Sequence, residues 1–334
     1  MPLKGKTSPK YDKARQYRDA HGMGVTTSAL AKLLFKDNPL LYKSSEDARM
    51  ILSRIEGKRM GGSGVLVTHP EPERSVTPYH IPEPDGEDFE PYHLPLSWNR
   101  FIFASDFHVP NHRTEPIKAM LDYAIENNIK KLIVGGDLLD NTPFTRWLHE
   151  PIDPKSVPLW FDMAKNLLIE FKKIFDEVIW IEGNHDFWYK RFLMEKAPML
   201  FNDKYFRLEE RLSLNEIGVK FIDQRYLVKA GHLNIHHGHI LLRGGGSYAN
   251  GARMLYTKSK SNFISGHLHV ESSHTEPDVD DKICTTFITG CMCTLRPEYQ
   301  PFGGKACHGF ADITMGKNKS FRVKNMRIFK GEIL

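Results

Sequence analysis

Long apolar runs are missing from this 334-residue chain. None approaches the roughly 18 residues that a membrane span requires, and Met1–Lys10 lacks the apolar core of a secretion signal. A soluble protein with no membrane partner is expected, and the cytoplasm is its expected compartment. Cysteine is scarce too. Cys284, Cys291, Cys293 and Cys307 all fall in the last fifth of the chain. They are too few and too clustered for a disulfide framework, which argues for a reducing compartment and free, largely buried thiols. A strong excess of one charge is also absent. The formal net charge is +5 and 26% of residues are charged, an ordinary globular balance that by itself implies no partner. There is no internal repeat and no sustained heptad pattern.

What the chain does have is an uneven distribution of charge. Residues 1–63 carry 13 Lys/Arg against 6 Asp/Glu, whereas residues 64–100 carry 2 against 7. The acidic stretch also holds seven prolines between Pro70 and Pro95. Such sequence favours extended chain and cannot build a core. The expected organisation is a basic module at 1–63, a Pro-rich acidic linker at 64–96 and a large domain at 97–334.

The basic module reads as three short helices. Ser8-Pro9 suits a helix start, with Tyr11, Ala14 and Tyr17 along the helix. Thr26 or Thr27 can cap a second helix carrying Leu30, Leu33 and Leu34, and Ser44 with Asp47 resembles a capping box ahead of Met50, Ile51 and Ile55. Three such helices with basic surfaces suit a helix-turn-helix-like DNA-binding unit, or an appendage that docks on another surface.

The large domain alternates apolar runs with amphipathic segments. Arg100–Ser105, Lys131–Val134 and Val178–Ile181 read as buried strands, and Thr114–Asn128 and Pro158–Phe175 as helices between them. This order predicts a parallel sheet with right-handed crossovers. Polar residues follow each strand: Asp106 and His108, then Asp137 and Asp140, then Asn184, His185 and Asp186. Leu233–Ile235 leads into His236-His237-Gly238-His239, and Asn262–Ser265 into Gly266-His267-Leu268-His269. Further strands are expected at Thr285–Thr289 and Ser320–Phe329. Sites in such sheets collect beyond the carboxyl ends of the strands. The expected fold is α/β, a layered sheet-rich domain with one ligand-bearing edge.

Carboxylates (Asp106, Asp137), imidazoles (His108, His237, His267, His269) and an amide oxygen (Asn184) form a mixed oxygen and nitrogen set. It suits divalent Mn, Fe, Zn, Co or Ni and is too rich in nitrogen for Mg or Ca. Seven donors exceed one tetrahedral site and suit two ions sharing a carboxylate, the arrangement that assists in-line displacement at phosphorus. Adjacent residues of a strand face opposite sides, so one of His236 and His237 can bind.

The blocks DFH (Asp106–His108), GGDLLD (Gly135–Asp140), GNHD (Gly183–Asp186), HG (His237-Gly238) and GHLH (Gly266–His269) resemble, in order, those of the calcineurin-like metallophosphoesterase superfamily. The resemblance implies a β-sandwich flanked by helices, and two divalent ions with manganese foremost. Asp106, His108 and His269 would hold one ion, Asn184, His237 and His267 the other, and Asp137 would bridge them. A hydroxide between the ions would attack phosphorus in line. His185 would protonate the leaving oxygen, oriented by a hydrogen bond to Asp140 that also raises its pKa. The family's Ser/Thr phosphatases have Arg where Asn141 stands and Glu where Asp186 stands. This points to a phosphodiesterase acting on nucleic acid, a nuclease. The alternatives are a phosphomonoesterase or cyclic-nucleotide phosphodiesterase and, in another class, a non-catalytic nucleic-acid-binding scaffold.

Other features stay open at this level. Phe187-Trp188-Tyr189 can stack bases or pack a helix. Leu242–Ser247 can admit a phosphate or form a mobile turn. His239 can contact substrate or lie on the surface, and Arg146, Lys190, Arg191 and Arg243 can line the rim or be solvated. His232 stays open, and His112 and His149 are expected to be solvent-exposed rather than catalytic. Cys291, Cys293, Cys307 and His308 are poorly spaced for structural zinc.

Overall fold

Pro9 opens the first helix of the N-terminal unit in the computed structural model. The model describes residues 9–21, 25–56, 86, 88–147, 149–242, 250–277, 281–297, 302 and 304–334. Its contacts divide the chain into Met1–Pro84 and Asp85–Leu334. The first unit contains α1 (Pro9–His21), α2 (Thr27–Asp37) and α3 (Ser45–Ile55). Thr26 caps α2 by accepting from the Ala29 amide at 3.2 Å, and Ser44 caps α3 by accepting from the Asp47 amide at 3.1 Å. Each cap contributes about 1 kcal/mol. Leu30, Leu34, Ala48, Ile51 and Leu52 are buried around Ala14 and Tyr42, while Leu33 is exposed. The expected cap residue Ser8 lies outside the described residues, as does most of the acidic linker.

The second unit contains, among the described residues, the strands β1 (Tyr92–His93), β2 (Arg100–Ala104), β3 (Lys131–Val134), β4 (Glu177–Ile181), β5 (Val219–Ile222), β6 (Val228–Ala230), β7 (Leu233–Ile235), β8 (Phe263–Ser265), β9 (Ser272–Pro277), β10 (Ile283–Ile288), β11 (His308–Met315), β12 (Phe321–Phe329) and β13 (Glu332–Ile333). One sheet runs β13-β12-β11-β2-β3-β4-β5 and the other β1-β6-β7-β8-β10-β9. Strands β2 to β5 are parallel, with Ile102 opposite Leu132 and Ile133 opposite Ile179. Strand β1 pairs in parallel with β6, so sheet pairing begins inside the segment read as linker.

The apolar runs are continuous because these strands are covered on both faces. Side chains alternate along a strand. Ile102, Leu132, Val178 and Trp180 therefore face α4 (Thr114–Glu126), α5 (Ser156–Ile174) and α6 (Asn184–Lys196), meeting Met120, Phe171 and Leu193. Phe101, Phe103, Ile133 and Ile179 face the second sheet and meet Val228, Leu233, Ile235 and Ile264. A helix at Gly251–Ser259 covers the far face through Ala252 and Leu255. The layers thus run helix, sheet, sheet, helix. Burying each large apolar side chain contributes about 1.5–3 kcal/mol, which fixes the strand ends that carry the polar rim. Among the described residues, no helix is long and apolar enough to cross a membrane.

Candidate metal centre

Every strand expected to deliver a polar residue does so at its carboxyl end. Asp106 and His108 follow β2, Asp137 follows β3, Asn184 opens α6 just after β4, His237 follows β7, and His267 and His269 follow β8. Nε2 of His269 lies 3.1 Å from Asp106 Oδ1 and 3.2 Å from His108 Nε2. Nε2 of His237 lies 3.0 Å from Asp137 Oδ2 and 3.1 Å from Asn184 Oδ1. Asp137 offers a ligand atom both to a group with His108 and His185 and to a group with His237 and His267. The structure thus brings together the residues named from the sequence, with Asp137 between the two groups.

The donor set fits cations. Nδ1 of His237 donates to the Gly135 carbonyl at 3.0 Å. In the neutral ring, Nε2 is therefore a lone pair facing two oxygen acceptors, and nothing donates among them. A cation satisfies that arrangement, and a proton can stand in for it. Burial opposes the charge on His237, yet the carboxylates of Asp137 and Asp106 carry its pKa up to about 9. Asp106 and Asp137 remain ionised although burial alone would raise them, because His269 and His237 hold them below the ordinary carboxylate range. Asp106, His108, Asp137, His267 and His269 all occupy the left-handed backbone region, with φ from 48° to 70°. Strain of roughly 1 kcal/mol or more at each persists only where the surroundings impose it, and it clusters at functional sites.

The same carboxylates tie the rim loops to one another. Asp106 accepts from the His267 amide at 3.0 Å and from Ser105 Oγ at 2.5 Å. Asp137 Oδ1 accepts from the His185 amide at 2.8 Å. Two glycines permit this approach. A Cβ on Gly183 would strike the Asp137 carboxylate and amide, and one on Gly266 would strike Ser105 Oγ and the Asp106 carboxylate.

His185 and Asp140 depart from the expected pairing. Nδ1 of His185 donates to the Asp140 backbone carbonyl at 2.8 Å, with the carboxylate 3.6 Å away. The Asp140 carboxylate instead meets His108 Nδ1 at 3.1 Å and the Thr142 hydroxyl. Nor is the His185 pKa raised. Burial, reinforced by His108, pushes it down to about 4 despite the carboxylates of Asp137 and Asp140. The ring of Trp188 lies on His185, with centroids 3.7 Å apart.

The residues used to separate subfamilies have local structural roles here. Asp186 is buried and accepts from the amides of Leu139 and Gly183, both at 2.9 Å, and from Trp180 Nε1 at 3.2 Å. Asn141 is buried and donates to the His185 carbonyl at 3.0 Å. Neither is placed to grip a phosphate. His236 points away from the cluster toward the Gln224 carbonyl at 2.7 Å. His239 stands beside His237 and His267 and meets the Gln224 side chain at 2.6 Å.

Lys190 pairs with Asp223 at 2.7 Å, Arg191 with Glu195 at 3.7 Å, and Arg146 lies over the Trp147 ring. Arg243 and Gly244–Ser247 lie outside the described residues. His149 and His232 are exposed, and His112 is half-buried. Sequence reasoning missed Cys293 as a neighbour of the cluster: its Sγ is 3.9 Å from His269 Nδ1, within ligand reach of His108 and His269. None of the four cysteines is in a disulfide, and His308 meets the Cys293 carbonyl at 2.9 Å. Glu182 was missed as well. It is buried beside Asp223, and burial raises its pKa to about 7.

The cluster lies between two clefts. One, of about 1250 Å³, reaches Asn184 and His239 and is bordered by Phe187, Lys190, Arg191 and Lys220. The other, of about 820 Å³, reaches His108, Asp140, His185 and His269. Trp188 lines both.

Comparison with known proteins bears on this geometry. The chain is 25% identical over 179 residues to the Gene 54 protein of Mycobacterium phage L5, an alignment spanning 51% of this chain and 69% of that protein. Among solved structures, Vps29 of Entamoeba histolytica complexed with zinc is 12% identical, covering 70% of this chain and 96% of that one at a TM-score of 0.38. Yfce, a phosphoesterase from E. coli, is 16% identical, covering 67% and 98% at a TM-score of 0.32. The family model for calcineurin-like phosphoesterases matches residues 99–271, just over half of the chain and all of the donor-bearing rim. This chain therefore belongs to the calcineurin-like phosphoesterase family and is a hydrolase of phosphoric esters that depends on divalent metal ions.

Proposed function

We propose that the protein is a phosphodiesterase acting on nucleic acid. The observation that carries this reading is the donor cluster's position between two clefts. A diester has two arms to house, whereas a monoester has one. Asp106, His108 and His269 would hold one ion and Asn184, His237 and His267 the other, with Asp137 shared. When bound, two such ions supply Lewis acidity at the phosphoryl oxygens and an activated water.

The chain's own groups do the rest. Nδ1 of His185 is committed to the Asp140 carbonyl, so Nε2 is the atom that carries the transferable proton. Burial keeps the free ring neutral. An anionic phosphodiester beside it favours the imidazolium, so the substrate brings the acid to its working charge. Asp140 orients His108 through Nδ1, and Trp188 holds the plane of His185. Lys190 and Arg191 border the larger cleft paired with Asp223 and Glu195, and Arg207 and Lys220 add positive charge along it.

The test begins with protein stripped of metal and reloaded with Mn²⁺. Hydrolysis of bis(p-nitrophenyl) phosphate should exceed that of p-nitrophenyl phosphate, and nucleic acid should be cleaved. A preference for the monoester would overturn the reading. Absence of turnover on either, with metal bound, would favour the non-catalytic scaffold.

The basic helices α1 to α3 give a second contact with nucleic acid. Arg15, Lys32, Lys36 and Arg49 are exposed on them, and Lys43 on the loop before α3. Deleting residues 1–63 should weaken binding to DNA and flatten its salt dependence. Unchanged affinity at low salt would retire this role.

A further inference from the structure

We propose that the smaller cleft is a nucleobase subsite, built by Trp147, Trp160 and Trp188, that holds the leaving-alcohol side of the substrate. The proposal rests on the phosphodiesterase reading and adds which arm of the diester is recognised, and how.

The chain has five tryptophans. Trp98 and Trp180 are buried at 2% and 0% exposure and serve the core. The remaining three line the smaller cleft, which also contains His185. They reach it from separate places: a loop after β3, helix α5 and helix α6. No packing requirement explains the convergence. Trp147 is 65% exposed, with the Arg146 guanidinium 5.2 Å from its ring centroid. Trp160 and Trp188 are half-buried. Of the aromatics after GNHD, the one that packs the helix is Tyr189, buried against Phe144 and Phe161. Trp188 is left to the clefts.

Polarity separates the two arms. The larger cleft carries Lys190, Arg191, Arg207, Lys220 and Arg225 against Glu182, Glu209 and Asp223, and suits phosphates. The smaller carries Arg296 against Asp140 and Glu150, and suits a flat group of low charge. Its volume lies within the roughly 300–1,000 Å³ of pockets for small organic ligands. His185, the proposed acid, opens into this cleft and rests against Trp188. The alcohol that receives its proton therefore departs on the tryptophan side. An exposed ring with a guanidinium on it, a second ring lining the same cleft and a third against the acid provide stacking surface, which tolerates any base.

The test uses Mn²⁺-loaded full-length protein and three dinucleotides: intact, lacking the base on the leaving side, and lacking the base on the other side. Loss of the leaving-side base should raise KM roughly 5- to 150-fold. Loss of the other base should change it far less. Trp147→Ala should raise KM for the intact dinucleotide by a similar factor and leave KM for the leaving-side abasic compound unchanged. Trp147→Phe should restore most of the loss. An equal effect of Trp147→Ala on intact and abasic dinucleotides would overturn the subsite. So would hydrolysis of bis(p-nitrophenyl) phosphate without hydrolysis of any dinucleotide, although the phosphodiesterase reading would then survive. Failure on every diester would remove both.

Discussion

The Asp140 carboxylate stands 3.1 Å from Nδ1 of His108 and also receives the Thr142 hydroxyl. It is therefore the outer partner of a metal-ligand candidate. Such partners fix the tautomer and raise the basicity of the ligating nitrogen. Asp140→Asn should weaken Mn²⁺ binding about 10- to 100-fold, with activity recovering at high Mn²⁺. A metal titration followed by activity would show both effects. Unchanged metal affinity would contradict the arrangement.

His185 is predicted to behave in the opposite way. His185→Ala should retain its metal, measured by elemental analysis, while kcat on a diester with a poor leaving alcohol falls about 10²–10⁴-fold. With a p-nitrophenolate leaving group the loss should shrink, because that group needs no proton. An equal loss on both substrates would argue against proton donation.

Gly183→Ala should damage the site without touching a donor. The new Cβ has nowhere to go but the Asp137 carboxylate and amide. Overpacking of this kind costs about 1–3 kcal/mol. A lowered melting temperature together with weakened metal binding is expected, and a variant with wild-type values of both would refute the close approach.

The rim was legible in the sequence because its parts are local. A doubly covered strand is an apolar run, and the first polar residue after it lies at the strand's end, as Asp106 and Asp137 do. The parallel order of β2, β3 and β4 followed from the same runs. What was not legible depends on where a turn points its side chain. Asp140 and His185 come within 3.6 Å, but Asn141 turns left-handed (φ 53°) and it is the backbone of Asp140 that reaches His185. No spacing rule reveals that choice. Cys293, Trp147 and Trp160 were hidden for a related reason, since each reaches the site from outside the motif blocks, whereas Trp188, directly after GNHD, was open to a stacking role. Strand β11 was missed because its buried stretch, Gly309-Phe310-Ala311-Asp312-Ile313, includes a carboxylate paired with Arg100 at 2.8 Å.

Acid should destabilise the protein partly through Asp223. Burial opposes its ionisation, but hydrogen bonds from Arg225 and Lys190 hold its pKa at about 2. A depressed carboxylate contributes stability above its unfolded value, near 3.9, and loses it as pH falls toward 2. The pair is partly exposed, so the contribution is about 1 kcal/mol. Asp223→Asn should lower stability by about 1 kcal/mol above pH 4 and flatten the profile between roughly pH 4 and 2, meeting the wild-type curve in acid. Denaturant melts at several pH values would show an unaltered acid limb if the assignment is wrong.

The amide contacts of Asp106 and Asp137 have a consequence for how the protein is loaded. Each carboxylate spends one edge on a neighbouring loop's backbone, His267 in one case and His185 in the other. The walls of the receptacle are thus tied to one another by the polypeptide itself. Chelator-treated protein should keep its far-ultraviolet circular dichroism and its cooperative melt, and re-addition of ions should raise the midpoint in proportion to the logarithm of their concentration. A receptacle braced in this way would let ions exchange without unfolding, so the cell's metal supply would decide which ones reside there.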